Sequence, residues 1–324
     1  MKFLKNRLGL DFGVYRTFTK NQIIPIRIDQ STGYSRATVN AGEIRNQGVE
    51  IVLNGSPIKT KDFQWNTTIT WSTNKSKVLA LAEELGGDKQ QVIGTSGNAS
   101  IIAEVGGEMG DIWGFGFART PQGQIIYKAS DGLPERPAAI QKIGNAYADW
   151  RGGIFNEFVY KNFRFNFLLD GQKGGMVYSQ SHHKMMEQGK LKTTLPGREE
   201  GFIIGDGVVA DGAGFKPNTK KVTVGDYYAD YYRRANVEAN TFDASFLKLR
   251  EVRFEYNIPK NVLGKLKIQQ ASVGLYGRDL AMITDFPIFD PETASLNGDT
   301  ILPGAEIGQL PSTRTIGVNL NIKF

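Results

Sequence analysis

The chain has 324 residues, with 38 Gly, 12 Pro, 2 His and no Cys. A disulfide framework and a thiolate metal site are therefore excluded, and two His are too few for a histidine-rich metal centre. No apolar run approaches the roughly 20 residues of a membrane helix. The net charge of +6 is dispersed along the chain, so nucleic acid is not an expected partner.

The stretch Met1–Arg7 is basic but has no apolar h-region and no cleavage site, so it does not read as a signal peptide. Leu8, Leu10, Phe12 and Val14 then begin a strand pattern almost at once. Such a start suits a piece of a longer protein or a cytosolic protein with an early first strand.

About ten strands are expected, at roughly 7–17, 45–54, 63–74, 110–119, 123–129, 151–160, 163–171, 246–256, 268–283 and 314–324. The clearest places Phe63, Trp65, Thr67, Ile69 and Trp71 on one face and Gln64, Asn66, Thr68 and Thr70 on the other. Phe163, Phe165 and Phe167 alternate with Arg164 and Asn166; Ala271, Val273 and Leu275 alternate with Ser272, Gly274 and Tyr276. In the last strand Ile316, Val318, Leu320, Ile322 and Phe324 oppose Thr315, Gly317, Asn319, Asn321 and Lys323.

Long and short connections alternate throughout. The long ones are 18–44, 75–109, 130–150, 172–245 and 284–313. The short ones are Gly55-Ser56-Pro57, Pro121-Gln122-Gly123, Lys161-Asn162 and the stretch around Pro259 and Gly264. A transmembrane β-barrel has this pattern, with long extracellular loops and short periplasmic turns. Its wall pairs every backbone N–H and C=O, and turns apolar residues to lipid and polar ones to the lumen. That division fits a mean hydropathy of −0.31. Phe63, Trp65, Trp71, Tyr160, Phe163, Tyr256 and Phe324 lie near strand ends, where aromatic girdles sit. The expected fold class is all-β: a transmembrane antiparallel barrel segment of about ten strands. A soluble antiparallel sandwich would share the alternation.

Three loop features are candidate sites. His182 and His183 lie in Ser179–Glu187, which reads as a short helix. Adjacent helical residues point about 100° apart, so the pair is not expected to ligate one metal and is expected to be exposed. Gly205 to Gly214, with Asp206 and Asp211, reads as a flexible loop without a nucleotide or calcium motif. Asp226-Tyr227-Tyr228-Ala229-Asp230-Tyr231-Tyr232-Arg233-Arg234 gathers four tyrosines. Tyr227, Tyr228, Tyr231, Tyr232 and Arg233 could stack on sugar rings, form a protein interface, or serve plain structure. No catalytic motif occurs, and neither enzyme activity nor a cofactor is expected.

Several stretches resemble one family. Asn40-Ala41-Gly42-Glu43-Ile44-Arg45-Asn46-Gln47-Gly48-Val49-Glu50 is similar to the N-x-G-x-x-x-N-x-G-x-E stretch of SusC/RagA-type TonB-linked outer-membrane transporters. Asp62–Thr68, Ile143-Gly144-Asn145, Phe158–Phe163, Ala244–Arg250, Phe289-Asp290-Pro291-Glu292 and Pro311–Arg314 continue the resemblance in order. Gly277-Arg278-Asp279-Leu280 departs from it, because the family usually has Asn before Leu.

The resemblance implies that residues 1–324 are the C-terminal portion of a barrel of roughly 22 strands, lacking the signal peptide, TonB box and plug domain. It implies import of a glycan or oligopeptide across the outer membrane of a Gram-negative bacterium. A SusD/RagB-like surface lipoprotein would form the lid, and TonB would act only through the missing plug. Loops 75–109, 172–245 and 284–313 are then expected to contact lipoprotein or cargo. Ile316, Val318, Leu320, Ile322 and Phe324 resemble the terminal strand read by the barrel-assembly machinery, an edge that pairs by strand addition. The alternatives are a self-contained barrel that binds a ligand or partner through its loops, and a soluble carbohydrate-binding sandwich or an enzyme built on one.

Overall fold

A computed structural model describes residues 2–5, 7–27, 33, 36–81, 90–96, 98–264, 268–293, 295–297 and 300–324; the side chains of 22–27, 36–41, 90–96, 295–297 and 300–301 are left aside. Parts of the expected connections 18–44, 75–109 and 284–313 and of the turn near Gly264 thus lie outside the described residues.

Eight long strands form one antiparallel sheet in chain order: β1 Leu8–Arg27, β2 Arg36–Lys59, β3 Phe63–Ala80, β4 Ala148–Tyr160, β5 Phe163–Gly174, β6 Phe246–Asn257, β7 Gln270–Thr284 and β8 Thr315–Lys323. The short strand Lys2–Phe3 adds to the edge of β1. Every long strand pairs only with its sequence neighbours in the sheet, an up-and-down meander.

Register carries the period-two pattern across the whole sheet. Trp65, Phe158, Phe165, Phe254, Leu275 and Val318 form one continuous row over β3 to β8. A one-residue slip in any strand would turn its apolar set to the other face, so the rows fix the pairing.

Three expectations need correction. First, 110–119 and 123–129 are not wall strands. Only Asp111–Gly114 and Ile126–Tyr127 are extended, and both belong to small sheets outside the wall. Their alternation comes from residues buried elsewhere: Phe117 is buried against Tyr231. Gly114 lies where a Cβ would meet Val237 Cγ2 at 2.3 Å. Pro121-Gln122-Gly123 is accordingly a turn within the connection between β3 and β4. Losing two adjacent strands leaves the long–short alternation intact.

Second, Gly55-Ser56-Pro57 is a bulge inside β2, where the register shifts between Gly55 and Ile58. A bulge accommodates Pro57, which has no N–H for the ladder. The turn itself spans Thr60 to Asp62. Third, much of 18–44 is not loop but an extension of the β1–β2 ribbon, paired from Phe18↔Arg45 to Arg27↔Arg36.

At the other end of the sheet, the connections between β3 and β4, β5 and β6, and β7 and β8 share one cap. Ala99, Ile101, Ile112, Tyr178, Val237, Leu302 and Ala305, drawn from all three connections, form a single buried cluster. Val177, Ala244, Phe286 and Ile288 form a second. Two helices lie in the cap, α1 Gln180–Glu187 and α2 Val224–Tyr231. A four-residue helix, α3 Lys260–Leu263, occupies a short turn.

Candidate functional site

The wall and the cap obey opposite burial rules. In the cap, Ile112, Tyr178, Val237 and Ala305 are packed out of solvent in one cluster. In the wall, Val318 is 68% exposed, Leu275 59% and Phe12 60%, whereas Lys248 is 3% exposed, Ser272 3% and Glu255 7%. Water as the only solvent cannot explain a sheet that exposes its apolar rows and buries its polar ones, because exposing them forgoes roughly 25 cal/mol per Å². Hydrocarbon against the apolar face removes that conflict.

The apolar face has detail. Phe63, Tyr160, Phe163 and Tyr256 flank the short turns, and Phe163 packs on Tyr256 with ring centroids 4.9 Å apart. Trp65 stacks on Phe158 at 5.8 Å. A polar residue, Asn156, shares this face but is buried, and its Oδ1 accepts from Trp65 Nε1 at 2.9 Å.

The opposite face is a web of polar contacts. Ser56 Oγ donates to Asn66 Oδ1 at 2.8 Å, and Asn66 Nδ2 donates to Glu157 Oε1 at 3.1 Å. Glu157 pairs with Arg164 at 3.4 Å. Arg253 pairs with Glu255 and reaches Asn319 Oδ1 at 3.3 Å. Arg164, Asn166, Arg253, Glu255, Ser272 and Asn321 line a cavity of about 370 Å³ on this face.

Where this face meets the cap, a charge network has formed that the sequence reading missed. Buried Lys248 on β6 donates to both carboxylate oxygens of Asp290, at 2.7 and 2.6 Å, and also to Glu292. Arg250 donates to Glu292 at 2.6 Å and to Asp170 on β5 at 2.8 Å, and it lies 3.6 Å from Asp279 on β7. Burial raises the pKa of Asp290. Hydrogen bonds from Lys248, the Glu292 N–H and Ser312 outweigh it and hold the carboxyl below its usual range. The signal was present: Lys248 and Arg250 are two apart on a strand, and the opposite charges Asp290 and Glu292 are two apart in the turn that follows β7.

Asp279 sits at a bulge opposite Arg250, in the left-handed region at φ 50°. Asn and Asp tolerate that conformation better than other side chains. The departure from the family pattern at Gly277–Leu280 is thus accommodated in shape.

The tyrosine stretch folds as α2, capped by Thr223, whose hydroxyl accepts from the Asp226 N–H at 3.3 Å and donates to its carboxylate at 2.6 Å. Helical spacing stacks Tyr227 on Tyr231 at 5.4 Å and Tyr228 against Tyr232 at 6.4 Å. Buried Tyr127 approaches Tyr227, hydroxyl to hydroxyl, at 3.4 Å. Burial pushes the Tyr227 phenol well above its ordinary value, and the Tyr231 phenol to about 12. Arg233 is exposed and lies 3.5 Å from Asp230. Asp230 also accepts from Arg136 at 3.1 Å, and the Arg136 guanidinium sits over Phe117. The structure therefore brings all five named residues onto one helix end, with the rings packed largely on each other.

The two histidines are buried, against the expectation of exposure. The helix expected at 179–187 is α1, and tertiary packing turns both imidazoles inward. His182 Nδ1 lies 3.0 Å from Asn240 Oδ1, and His183 Nδ1 lies 2.7 Å from the Tyr232 carbonyl. Glycines 205–214 are ordered as well. Val208–Asp211 pairs with Gly214–Pro217, and Gly205 lies where a Cβ would meet Tyr127 Cε1 at 2.2 Å. Glu306, fully buried, accepts from Ser179 Oγ at 2.5 Å and Ser181 Oγ at 2.6 Å at the start of α1. Among the described residues no group of three His, Asp or Glu side chains is placed to hold a metal.

The faces, the register and the meander define this chain as a transmembrane β-barrel wall with a folded loop cap. Comparison with known proteins narrows the class. The chain is similar over nearly its whole length to TonB-dependent receptors of the SusC/RagA type. One from Formosa agariphila is 26% identical over 346 residues, covering 98% of this chain and 32% of the relative. SusC of Bacteroides thetaiotaomicron is 24% identical over 357 residues, covering 99% and 31%. A structure of the RagAB peptide transporter matches with a TM-score of 0.69 at 16% identity, covering 99% of this chain and 34% of the other; the importer's closed-closed state gives 0.70 at 17%. At such identity the structural match speaks for the fold. No family model matches. The chain spans about a third of the length of the curated relatives it matches.

Proposed function

We propose that this chain supplies barrel wall, lumen lining and outer loops to a SusC/RagA-like importer in the outer membrane of a Gram-negative bacterium. The observation that carries this reading is the inverted burial of the wall, joined to similarity with TonB-dependent receptors along nearly the whole chain. The cap then faces outside and the short turns face the periplasm. Among the described residues no strand pairs with the outer edge of β8, and only Lys2–Phe3 pairs with that of β1. Open edges are untenable in lipid, so the sheet works as part of a larger barrel, as its C-terminal portion.

In this reading a SusD/RagB-like lipoprotein sits on the cap and TonB acts through a plug. The cargo is a glycan or an oligopeptide. Tyr227, Tyr228, Tyr231, Tyr232 and Arg233 serve as a contact on the cap, and Ile316 to Phe324 serve as the strand read during assembly. A strain with an in-frame deletion of the coding sequence should lose uptake of either labelled oligopeptides or labelled oligosaccharides. The protein should fractionate with the outer membrane and migrate differently on detergent gels before and after boiling. A soluble, heat-unmodifiable protein would overturn the reading.

A further inference from the structure

We infer that the short-turn rim of the sheet is a docking surface for the phosphate headgroups of anionic phospholipids. The inference rests on the membrane-wall reading above and adds which lipid the rim selects.

The rim is basic without compensation. Exposed Lys59 and Lys61 occupy the β2–β3 turn, Lys161 the β4–β5 turn and Lys260 the start of α3. Lys2, Lys5 and Arg7 stand at the foot of β1, and Lys323 ends β8 on the polar face, where it lines the cavity. Asp62 is the only acid beside these eight among the described turn residues. The surplus of seven exceeds the net charge of +6 for the whole chain, so the remainder is nearly neutral. Elsewhere the described cations commonly have carboxylate partners; none of these eight forms an ion pair among the described residues.

Placement names the occupant. Phe63, Tyr160, Phe163 and Tyr256 lie at the same turns, on the face that carries the exposed apolar rows. Lys161 Nζ lies 5.4 Å from the Tyr160 ring centre, so that cation stands at the edge of the aromatic girdle. Rings of this kind sit at headgroup depth, and lysine stems extend along apolar surface to place ammonium groups in the polar layer. Unpaired cations at that depth meet lipid phosphate, and an anionic headgroup keeps the net charge that a zwitterion cancels. Each lysine near an anionic surface contributes up to about a fivefold preference.

The test uses Trp65, which stacks on Phe158 close to the β2–β3 turn. The full-length barrel that carries this chain is refolded into phosphatidylcholine vesicles and into equal parts phosphatidylcholine and phosphatidylglycerol, with one lipid or the other brominated to quench tryptophan. Subtracting the Trp65→Phe signal isolates the rim. Brominated phosphatidylglycerol should quench severalfold more per lipid than brominated phosphatidylcholine. The difference should shrink in high salt and fall severalfold in a Lys59→Gln/Lys61→Gln/Lys161→Gln/Lys260→Gln variant. It should persist in the matching Lys→Arg variant, which separates charge from folding. Equal quenching by both lipids in the folded chain overturns the inference and points to an acidic protein as the rim's partner. Failure of the full-length barrel to insert into either vesicle overturns the membrane-wall reading and this inference with it.

Discussion

Replacing Lys248 by Met tests how the cap is held to the wall. Met keeps the stem's length and removes the charge. Asp290 then keeps the Glu292 N–H, at 2.9 Å, but loses the ammonium 2.6–2.7 Å from both its oxygens. The two side chains are 4% and 6% exposed, so water cannot replace the lost partner. Removing one member of a buried pair costs about 3–5 kcal/mol. Arg250 still holds Glu292, which places the loss near the lower end. If the segment after β7 opens locally, its open population should rise roughly a hundredfold or more. Hydrogen exchange should show this over 286–293 while Phe163–Gly174 keeps its protection. The pairing also has a pH signature. Asp290 and Glu292 titrate below their ordinary values of 3.8 and 4.5, so the stability they contribute is complete above those values and is lost as pH falls through the lower folded ones. Exchange in Lys248→Met within threefold of the parent would refute the reasoning.

The wall makes a second prediction: Val318→Arg should cost about 2–4 kcal/mol where Asn319→Arg is mild, and equal costs in a boiling-shift assay would contradict a lipid-facing row. Trp65→Phe should destabilise the wall by about 1–3 kcal/mol by orphaning Asn156 Oδ1, and adding Asn156→Leu should recover much of that; purely additive losses would count against the pairing. Gly205→Ala should cost about 1–3 kcal/mol by overpacking Tyr127, read as increased exchange in 205–217. Burial depresses the pKa of His182 and His183 beyond what their Asn240 and Tyr232 contacts restore, so their contribution is full above the ordinary 6.5 and declines as pH drops toward the folded values. Protection of α1, corrected for intrinsic exchange, should therefore weaken below that pH, and a flat profile would sink this assignment.

The wall was legible because both of its faces are specified. Phe63–Trp71 and Ile316–Phe324 must satisfy lipid on one side and a polar interior on the other, so their alternation admits few exceptions. The cap was much less so. Its strands are two to seven residues long and pair across great separations, as Met176–Ser179 does with Ala305–Glu306 in parallel. Nothing local in Tyr178 announces Ala305. Burial of His182 and His183 depends likewise on Asn240 and Tyr232, roughly fifty residues away. The tyrosine stretch was visible as composition, but its stacking required knowing that 224–231 is helical.

Hydrogen bonding places different demands on the sequence of the wall and of the cap. In the wall, backbone pairing satisfies the chain whatever the side chains are, and side chains need only match the solvent they face. That leaves freedom to carry unlike residues at most positions. In the cap, irregular backbone must find specific partners: Glu306 for the Ser181 N–H, Asn145 Oδ1 for the Tyr147 N–H, Glu238 for the Phe117 N–H. Each such bond is made by one side chain at one position. The Lys248–Asp290 contact belongs to both regimes, a wall side chain spent on fixing a cap segment, and it ties the ordering of that segment to correct pairing of β6 with β5 and β7.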